Sequence, residues 1–355
     1  MAVKVRGVPS IRLGGGRRVL TALIGLALVA PGCGQAGTMS SAPAGTAATA
    51  SPALATTTPS PLPPSPTPAI TGLTGRIVFA RAGGAFKDET IFVASIDGSN
   101  ELQMGEPGEG CCPWALRDGS LLIRSASAPD GRFAPAISKL DGSDARLFPL
   151  PAGLQFGPGP ISAYGSRVVL EGFTAPDFEA APVYIANLDG SEMKPLTDDP
   201  FIPGDFSPDG RTVMLFTGGE AGDGPPPPGS LWLVETDGSN LRQLTPADFL
   251  VQCCTGFRWS PDGTRILFAS PRGGLWTIAP DGTGLTEIFH EEGRWAVTPT
   301  WSPDGSMIMF ALDPSENPFA HPINGLYVIR ADGSGLTLVL GGSDFKRSPA
   351  WVEAD

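Results

Sequence analysis

A short turn sequence recurs six times between residues 97 and 334 and constrains the fold more than any other feature. Each copy reads Asp-Gly-Ser or Asp-Gly-Thr, and the aspartates are Asp97, Asp141, Asp189, Asp237, Asp281 and Asp332. Successive copies are 44, 48, 48, 44 and 51 residues apart. Each lies between two short runs of strand-forming residues, where a hairpin needs the positive φ that Asp tolerates and Gly readily adopts. A spacing of about 40–50 residues is typical of propeller blades or solenoid turns.

A second turn, Ser-Pro-Asp-Gly, alternates with the first and contains Asp209, Asp262 and Asp304. It suits a type I turn, because Pro presets φ at the second position and Gly closes the turn. A short apolar strand ending in Phe follows each copy, and degenerate copies occur at 116–119 and 162–165. One repeat is therefore four strands, a to d, with Ser-Pro-Asp-Gly joining a to b and Asp-Gly-Ser joining c to d.

The two ends of the repeat region complete each other. Residues 76–80 match a b strand with no a strand before it, and residues 349–352 match an a strand with no b strand after it. Pairing them removes two exposed sheet edges. We therefore predict an all-β fold for residues 71–355, a six-bladed β-propeller of four-stranded blades whose C-terminal strand closes the ring against the N-terminal strand. Trp259, Trp301 and Trp351 recur at one blade position, and we expect them to pack between blades.

The two alternating turns resemble the repeats of TolB-type, WD-like propellers over residues 75–352. That resemblance implies a non-catalytic module that engages other proteins of the cell envelope. The chain has two histidines, His290 and His321, so it lacks the histidine network of true WD repeats, and it contains no Gly-x-Ser-x-Gly motif.

Residues 1–32 have the pattern of a secretory signal, with basic residues before an apolar run from Val19 to Ala30. The segment 28–33 resembles the lipobox of bacterial lipoproteins, which implies lipidation of Cys33. Residues 33–70 then combine the lipidated cysteine with an Ala/Thr/Ser/Pro-rich stalk, expected to be disordered and to act as a spacer. We expect an extracytoplasmic protein that a lipid anchors to the membrane of a bacterial envelope.

The charge of the chain limits its partners. A formal net charge of −12 argues against nucleic-acid binding, which requires a basic face. We expect contact with the membrane through the lipid alone, a protein partner in the envelope or outside the cell, a monomeric chain and no cofactor. The turn aspartates occur in no calcium-loop pattern and are assigned to turns, so no metal site is predicted.

Four further cysteines form two adjacent pairs, Cys111-Cys112 and Cys253-Cys254. Both pairs lie in d-to-a connections, in blades two and five, which are diametrically opposed. An exported protein favours oxidised cysteines. Two vicinal disulfides, a double bridge between the opposed loops and free thiols all remain open. Vicinal bridges are strained because adjacent Cα atoms are only about 3.8 Å apart.

Both turns lie on one face of the disc, so the irregular b-to-c and d-to-a connections share the other, which is the candidate binding face. Glu220 and Asp223 lie in one long connection there, and Phe319 and His321 in another. The predicted inner strands, which include 159–162 in the third blade, contain one carboxylate, Asp205, and one basic residue, Arg258. These two are counted with the candidate binding residues.

One carboxylate does not hold a catalytic metal, so the sequence favours a binding or scaffold propeller without catalytic residues. The alternative is a hydrolase or lactonase with its site at the channel mouth.

Overall fold

A computed structural model describes residues 71–82, 89–105, 113–162, 165–175, 180–218, 228–252, 256–313, 325–342 and 344–353. All regular secondary structure in these ranges is β-strand. Within them no helix has the length and apolarity needed to cross a membrane.

Twenty-four strands, each two to eight residues long, follow one another along the described part of the chain. In order they are β1 Arg76–Ala82, β2 Thr90–Ser95, β3 Leu102–Met104, β4 Trp114–Ala115, β5 Leu122–Ser127, β6 Phe133–Ser138, β7 Arg146–Leu147, β8 Leu154–Phe156, β9 Arg167–Thr174, β10 Ala180–Asn187, β11 Lys194–Pro195, β12 Ile202–Phe206, β13 Thr212–Gly218, β14 Gly229–Glu235, β15 Arg242–Gln243, β16 Arg258–Trp259, β17 Ile266–Ala269, β18 Leu275–Ile278, β19 Thr286–Phe289, β20 Trp295–Trp301, β21 Met307–Asp313, β22 Leu326–Arg330, β23 Thr337–Leu340 and β24 Phe345–Val352.

These strands form six four-stranded antiparallel sheets, which are the blades of a six-bladed β-propeller. Blade 1 has the order β24-β1-β2-β3, and blades 2 to 6 take β4–β7, β8–β11, β12–β15, β16–β19 and β20–β23 in turn. The predicted fold class, the number of blades and the four-stranded repeat are confirmed.

The ring closes through β1 and β24, as predicted. Arg76 pairs with Val352, and Val78 pairs with Ala350. After a bulge the pairing continues to Ala82 and Phe345, so β24 begins earlier than the predicted 349–352 segment. The extra length brings Lys346 into the inner strand of blade 1.

Apolar side chains pack between neighbouring blades and hold the ring together. One cluster joins Phe79 of blade 1 to Met309 of blade 6, and each of these residues is fully buried. The predicted role of the three tryptophans is confirmed, since Trp259, Trp301 and Trp351 are at most 5% exposed. Burial of such large rings is a major source of stability for blades that are built from short strands.

Blade 3 departs from the prediction. Its inner strand is Leu154–Phe156, whereas the expected 159–162 segment contributes a single bridge, from Ile161 to Val168. Two prolines, at 158 and 160, remove backbone donors from that segment. A Cβ at Gly159 would lie 1.9 Å from the carbonyl oxygen of Val169, so the chain passes too close there for any other residue.

Candidate functional site

The two faces of the disc have different chemistry. The turn face carries the a-to-b and c-to-d turns, and the loop face carries the b-to-c and d-to-a connections. Several predicted residues of the loop face lie outside the described residues, as does the lipidation site: Cys33, Cys111, Cys112, Cys253, Cys254, Glu220, Asp223, Phe319 and His321. The described candidates of the site are Asp205 and Arg258.

On the turn face, each aspartate of a c-to-d turn accepts a hydrogen bond from the backbone N–H two residues later. The distance from Asp97 Oδ1 to Ser99 N is 2.9 Å, and the other five turns show 2.8–2.9 Å. Hydrogen bonds to each carboxylate lower the pKa of all six aspartates below the ordinary 3.8. The bond from the Ser or Thr hydroxyl at that position has the larger effect, and the bond from the backbone N–H has the next largest.

The backbone of these turns differs from the expectation that both Asp and Gly adopt positive φ. Gly98 does so, but Asp97 does not, and the second left-handed residue is Asn100. The same position after the aspartate is left-handed in all six hairpins. Asp therefore acts through its side chain, which closes an Asx turn, rather than through its tolerance of positive φ.

The Ser-Pro-Asp-Gly turns use their serine twice. Ser207 Oγ donates to Asp209 Oδ1 over 2.6 Å and accepts from the N–H of Thr212 over 2.9 Å. Blades 5 and 6 repeat both contacts. The serine hydroxyl is again the main cause that lowers the pKa of Asp209, Asp262 and Asp304. The turn carboxylates are therefore ionised at neutral pH, and their hydrogen bonds stabilise the backbone conformation of the turns.

The central channel is crossed by side chains from opposite blades. Arg117 of blade 2 donates from Nη2 to the carbonyl oxygen of Trp259 in blade 5 over 2.7 Å. In return, the guanidinium carbon of Arg258 lies 3.8 Å from the ring centre of Trp114 in blade 2. We call this set of contacts, together with Asp205, the channel brace.

Asp205, from blade 4, completes the channel brace. Its Oδ2 accepts a hydrogen bond from the N–H of Trp259 over 3.1 Å. Burial raises the pKa of Asp205, and the nearby charges of Arg258 and Arg117 offset this only in part. The brace lies beside the a-to-b turns, so the structure brings Asp205 and Arg258 together at the turn end of the channel, away from the loop-face mouth.

Sequence reasoning missed a second charged group, at the loop-face end of the seam between β1 and β24. Glu89, only 3% exposed, accepts two hydrogen bonds of 2.7 Å from the guanidinium of Arg347. Nearby, Lys346 is 1% exposed and lies 3.3 Å from Asp344, which also contacts Arg81. Burial opposes ionisation of Asp344, but Lys346 and Arg81 outweigh it and lower its pKa. No repeat marks these positions, which is why the sequence did not identify them.

Two inner strands bulge at the same level of the channel. Thr298 of β20 and Ser348 of β24 both have φ of +51°, and a proline follows each. The N–H of Ser348 donates to Thr298 Oγ1 over 3.1 Å. Left-handed backbone is uncommon outside glycine, above all for a β-branched residue such as Thr298. The inner strands of blades 6 and 1 therefore each contain a strained bulge, and the two bulges face each other across the junction between the blades.

The described residues offer little for metal chemistry. No group of three or more His, Cys, Asp and Glu side chains within the described ranges could hold a metal ion. The channel brace places one carboxylate beside two guanidinium groups, an arrangement that repels a cation.

The polypeptide joins the propeller on the turn face. The carbonyl oxygen of Thr74 accepts from Trp351 Nε1 over 3.0 Å, and that of Gly75 accepts from the N–H of Ile96 over 3.1 Å. Cavities of about 210 and 280 Å³ lie on either side of Gly72 and Leu73. The described part of the chain therefore begins at the turn face, between blades 6 and 1.

Comparison with solved structures finds the same fold in TolB. TolB from Acinetobacter baumannii is 18% identical with a TM-score of 0.59, over 78% of this chain and 66% of that one, slightly under two thirds of its length. A putative TolB from Agrobacterium tumefaciens is 16% identical with a TM-score of 0.54, over 80% of this chain and 100% of that one. Oligogalacturonate lyase from Vibrio parahaemolyticus is 13% identical with a TM-score of 0.50, over 75% and 80%. No protein-family model and no curated protein matches the sequence.

Proposed function

We propose that this chain is a membrane-tethered, non-catalytic binding propeller that presents its loop face to a protein partner in the cell envelope. The attachment of residues 72–75 on the turn face carries the proposal. A tether from Cys33 attaches at the turn face and therefore leaves the whole loop face free for a partner. Where the turn face approaches lipid, the charge of its ionised aspartates disfavours contact with anionic headgroups.

The structural likeness to TolB supports a binding role, since the repeats of both kinds of chain build the same scaffold. The channel brace supports the absence of catalysis, because its carboxylate is engaged by Trp259 N–H and two arginines. Because a lyase has a similar fold, the enzyme alternative also needs an experimental test. A divalent metal retained by the protein purified without chelators would favour a hydrolase or lactonase site at the channel mouth.

The cysteine pairs are part of this proposal. Residues 111–112 and 253–254 come shortly before β4 and β16, the two strands that the channel brace joins. We propose that all four are oxidised in the exported protein. Peptide mapping under non-reducing conditions distinguishes the two forms: a peptide linking 111–112 to 253–254 shows the cross-channel bridge, and its absence with full oxidation shows vicinal pairs.

Site-specific photo-crosslinking in intact cells tests which face binds. A photoreactive amino acid replaces Asp130, exposed in a b-to-c connection of blade 2, or Asp141, exposed in the c-to-d turn of the same blade. We expect crosslinks to an envelope protein from position 130 and their absence from position 141. Crosslinks from position 141 alone would reverse the assignment of faces. A Cys33→Ser variant, which we expect in the soluble fraction, controls for the tether.

A further inference from the structure

The outer edge of blade 6 differs from the other outer edges. We propose that β23, the outermost strand of this blade, is a docking site for an extended segment of a second protein, which adds to the blade as a fifth antiparallel strand. This surface is separate from the loop face, so the proposal stands independently of the binding role proposed above.

In each of the other blades a charged residue lies in the outer strand or immediately before it, and such charges block edge-to-edge pairing. The charged residues are Glu101 just before β3, Arg146 in β7, Lys194 in β11, Arg242 in β15 and Glu287 in β19. By contrast, residues 335–342 around β23 contain no charged residue and no proline. Blade 6 thus lacks the protection that every other blade has.

The blade-6 edge also exposes apolar surface. Leu338 is 52% exposed, the highest value among the large apolar side chains of the described residues, and Leu336 is 37% exposed. β23 has four residues, as β19 does, whereas β7, β11 and β15 have two each. A longer, uncharged and apolar strand at a sheet edge is the kind that another strand extends.

The surroundings of β23 indicate what kind of molecule binds there. A strand edge presents backbone donors and acceptors in a row, which only an extended polypeptide matches. Beside it is the 280 Å³ cavity, lined by Leu338, Leu73 and Ile96, which accepts an apolar side chain. The segment that docks is therefore extended and apolar on the face toward this cavity.

Charge sets the direction of the segment. Asp97 lines the same cavity, and Asp332 lies in the turn just before β23. Both carboxylates are ionised at neutral pH, since hydrogen bonds from Ser99 and Ser334 lower the pKa of each. An antiparallel segment ends near these aspartates, so its C-terminal end carries lysine or arginine.

A peptide titration tests the proposal with the full chain in detergent. The probe is a labelled peptide of alternating valine and threonine that ends in two lysines, followed by fluorescence anisotropy. We expect Leu338→Lys to weaken binding about tenfold, because it places a charge on the edge and removes apolar contact. Leu147→Lys, at 39% exposure in the outer strand of blade 2, is the matched control and should leave binding unchanged. Moving the two lysines to the N-terminal end should weaken binding.

Several outcomes would overturn the proposal. They are no binding, equal loss with both leucine variants, or indifference to the position of the lysines. Concentration-dependent dimers that Leu338→Lys abolishes would identify a second copy as the occupant instead. Amides of 336–341 protected from hydrogen exchange in the free chain, and exposed after deletion of 34–70, would identify the chain's own N-terminal segment.

Discussion

Arg258 and Trp114 meet across the central channel, with the guanidinium carbon 3.8 Å from the ring centre. The two residues belong to blades 5 and 2, on opposite sides of the ring. Apolar clusters join neighbouring blades, whereas among the described residues this contact and the bond from Arg117 to Trp259 tie the ring along a diameter.

Removing the stacked guanidinium should weaken the contact across the ring and lower the stability of the protein. We expect Arg258→Ala to lower the free energy of unfolding by about 1–2 kcal/mol, as for a partly desolvated cation–π contact. Urea unfolding measures the change. Arg211→Ala, an exposed arginine that follows an a-to-b turn, is the control and should stay within about 0.5 kcal/mol of the parent. Equal stability of the two variants would mean that the stacking of Arg258 on Trp114 contributes nothing to stability.

The pair between Glu89 and Arg347 should matter more than a surface ion pair. Glu89→Gln leaves a largely buried guanidinium without its charged partner, so we expect a loss of about 2–3 kcal/mol. Glu101→Gln should cost less than about 1 kcal/mol, because Glu101 is 31% exposed against 4% for Glu89 and Arg81 keeps its contact with Asp344. In a double-mutant cycle, Arg347→Gln added to Glu89→Gln should cost much less than it does alone. Additive losses would contradict a direct interaction.

Stability should fall in acid because of the turn aspartates. Their pKa values are lower in the folded chain than the ordinary 3.8, so the stability they provide is present above that value. It is lost as the pH falls from about 5 to about 2, where the folded form must take up protons. A triple variant, Asp209, Asp262 and Asp304 to Asn, should show a shallower dependence of unfolding free energy on pH.

Asp205 provides a control of opposite sign. Its pKa is raised in the folded chain, so its carboxylate disfavours folding increasingly as the pH rises above 3.8. The cost of Asp205→Asn should therefore be smaller at pH 7 than at pH 4. A steeper acid dependence in the triple Asn variant, or a cost of Asp205→Asn that grows with pH, would contradict these pKa directions.

The closing strand should be indispensable. Deletion of residues 348–355 removes most of β24 and exposes the edge of β1, so we expect the melting temperature to fall by about 10 °C or more. Deletion of 354–355 alone removes no strand residue and should leave melting unchanged. An unchanged melting temperature after the longer deletion would show that the ring does not depend on this pairing.

Much of the architecture could be predicted from local chemistry that repeats. Asp-Gly and Ser-Pro-Asp-Gly turns are stabilised by contacts within five residues, as between Ser207 and Thr212. Such turns can therefore be recognised from the sequence. Counting them predicted six blades and the strand pair that closes the ring. Where prolines interrupt the pattern, at 158 and 160, the inner strand of blade 3 lies earlier than predicted, and the predicted 159–162 segment keeps only one bridge to β9.

The sequence by itself determined the turns, the number of blades and the pairing of the two chain ends, because each depends on short-range hydrogen bonding and a regular count. The tertiary structure alone decided that Arg258 stacks on Trp114, 144 residues earlier in the chain, and that Arg347 binds Glu89, 258 residues earlier. Closing the ring brings such residues together, and no local propensity records which side chains from distant blades will share one buried space.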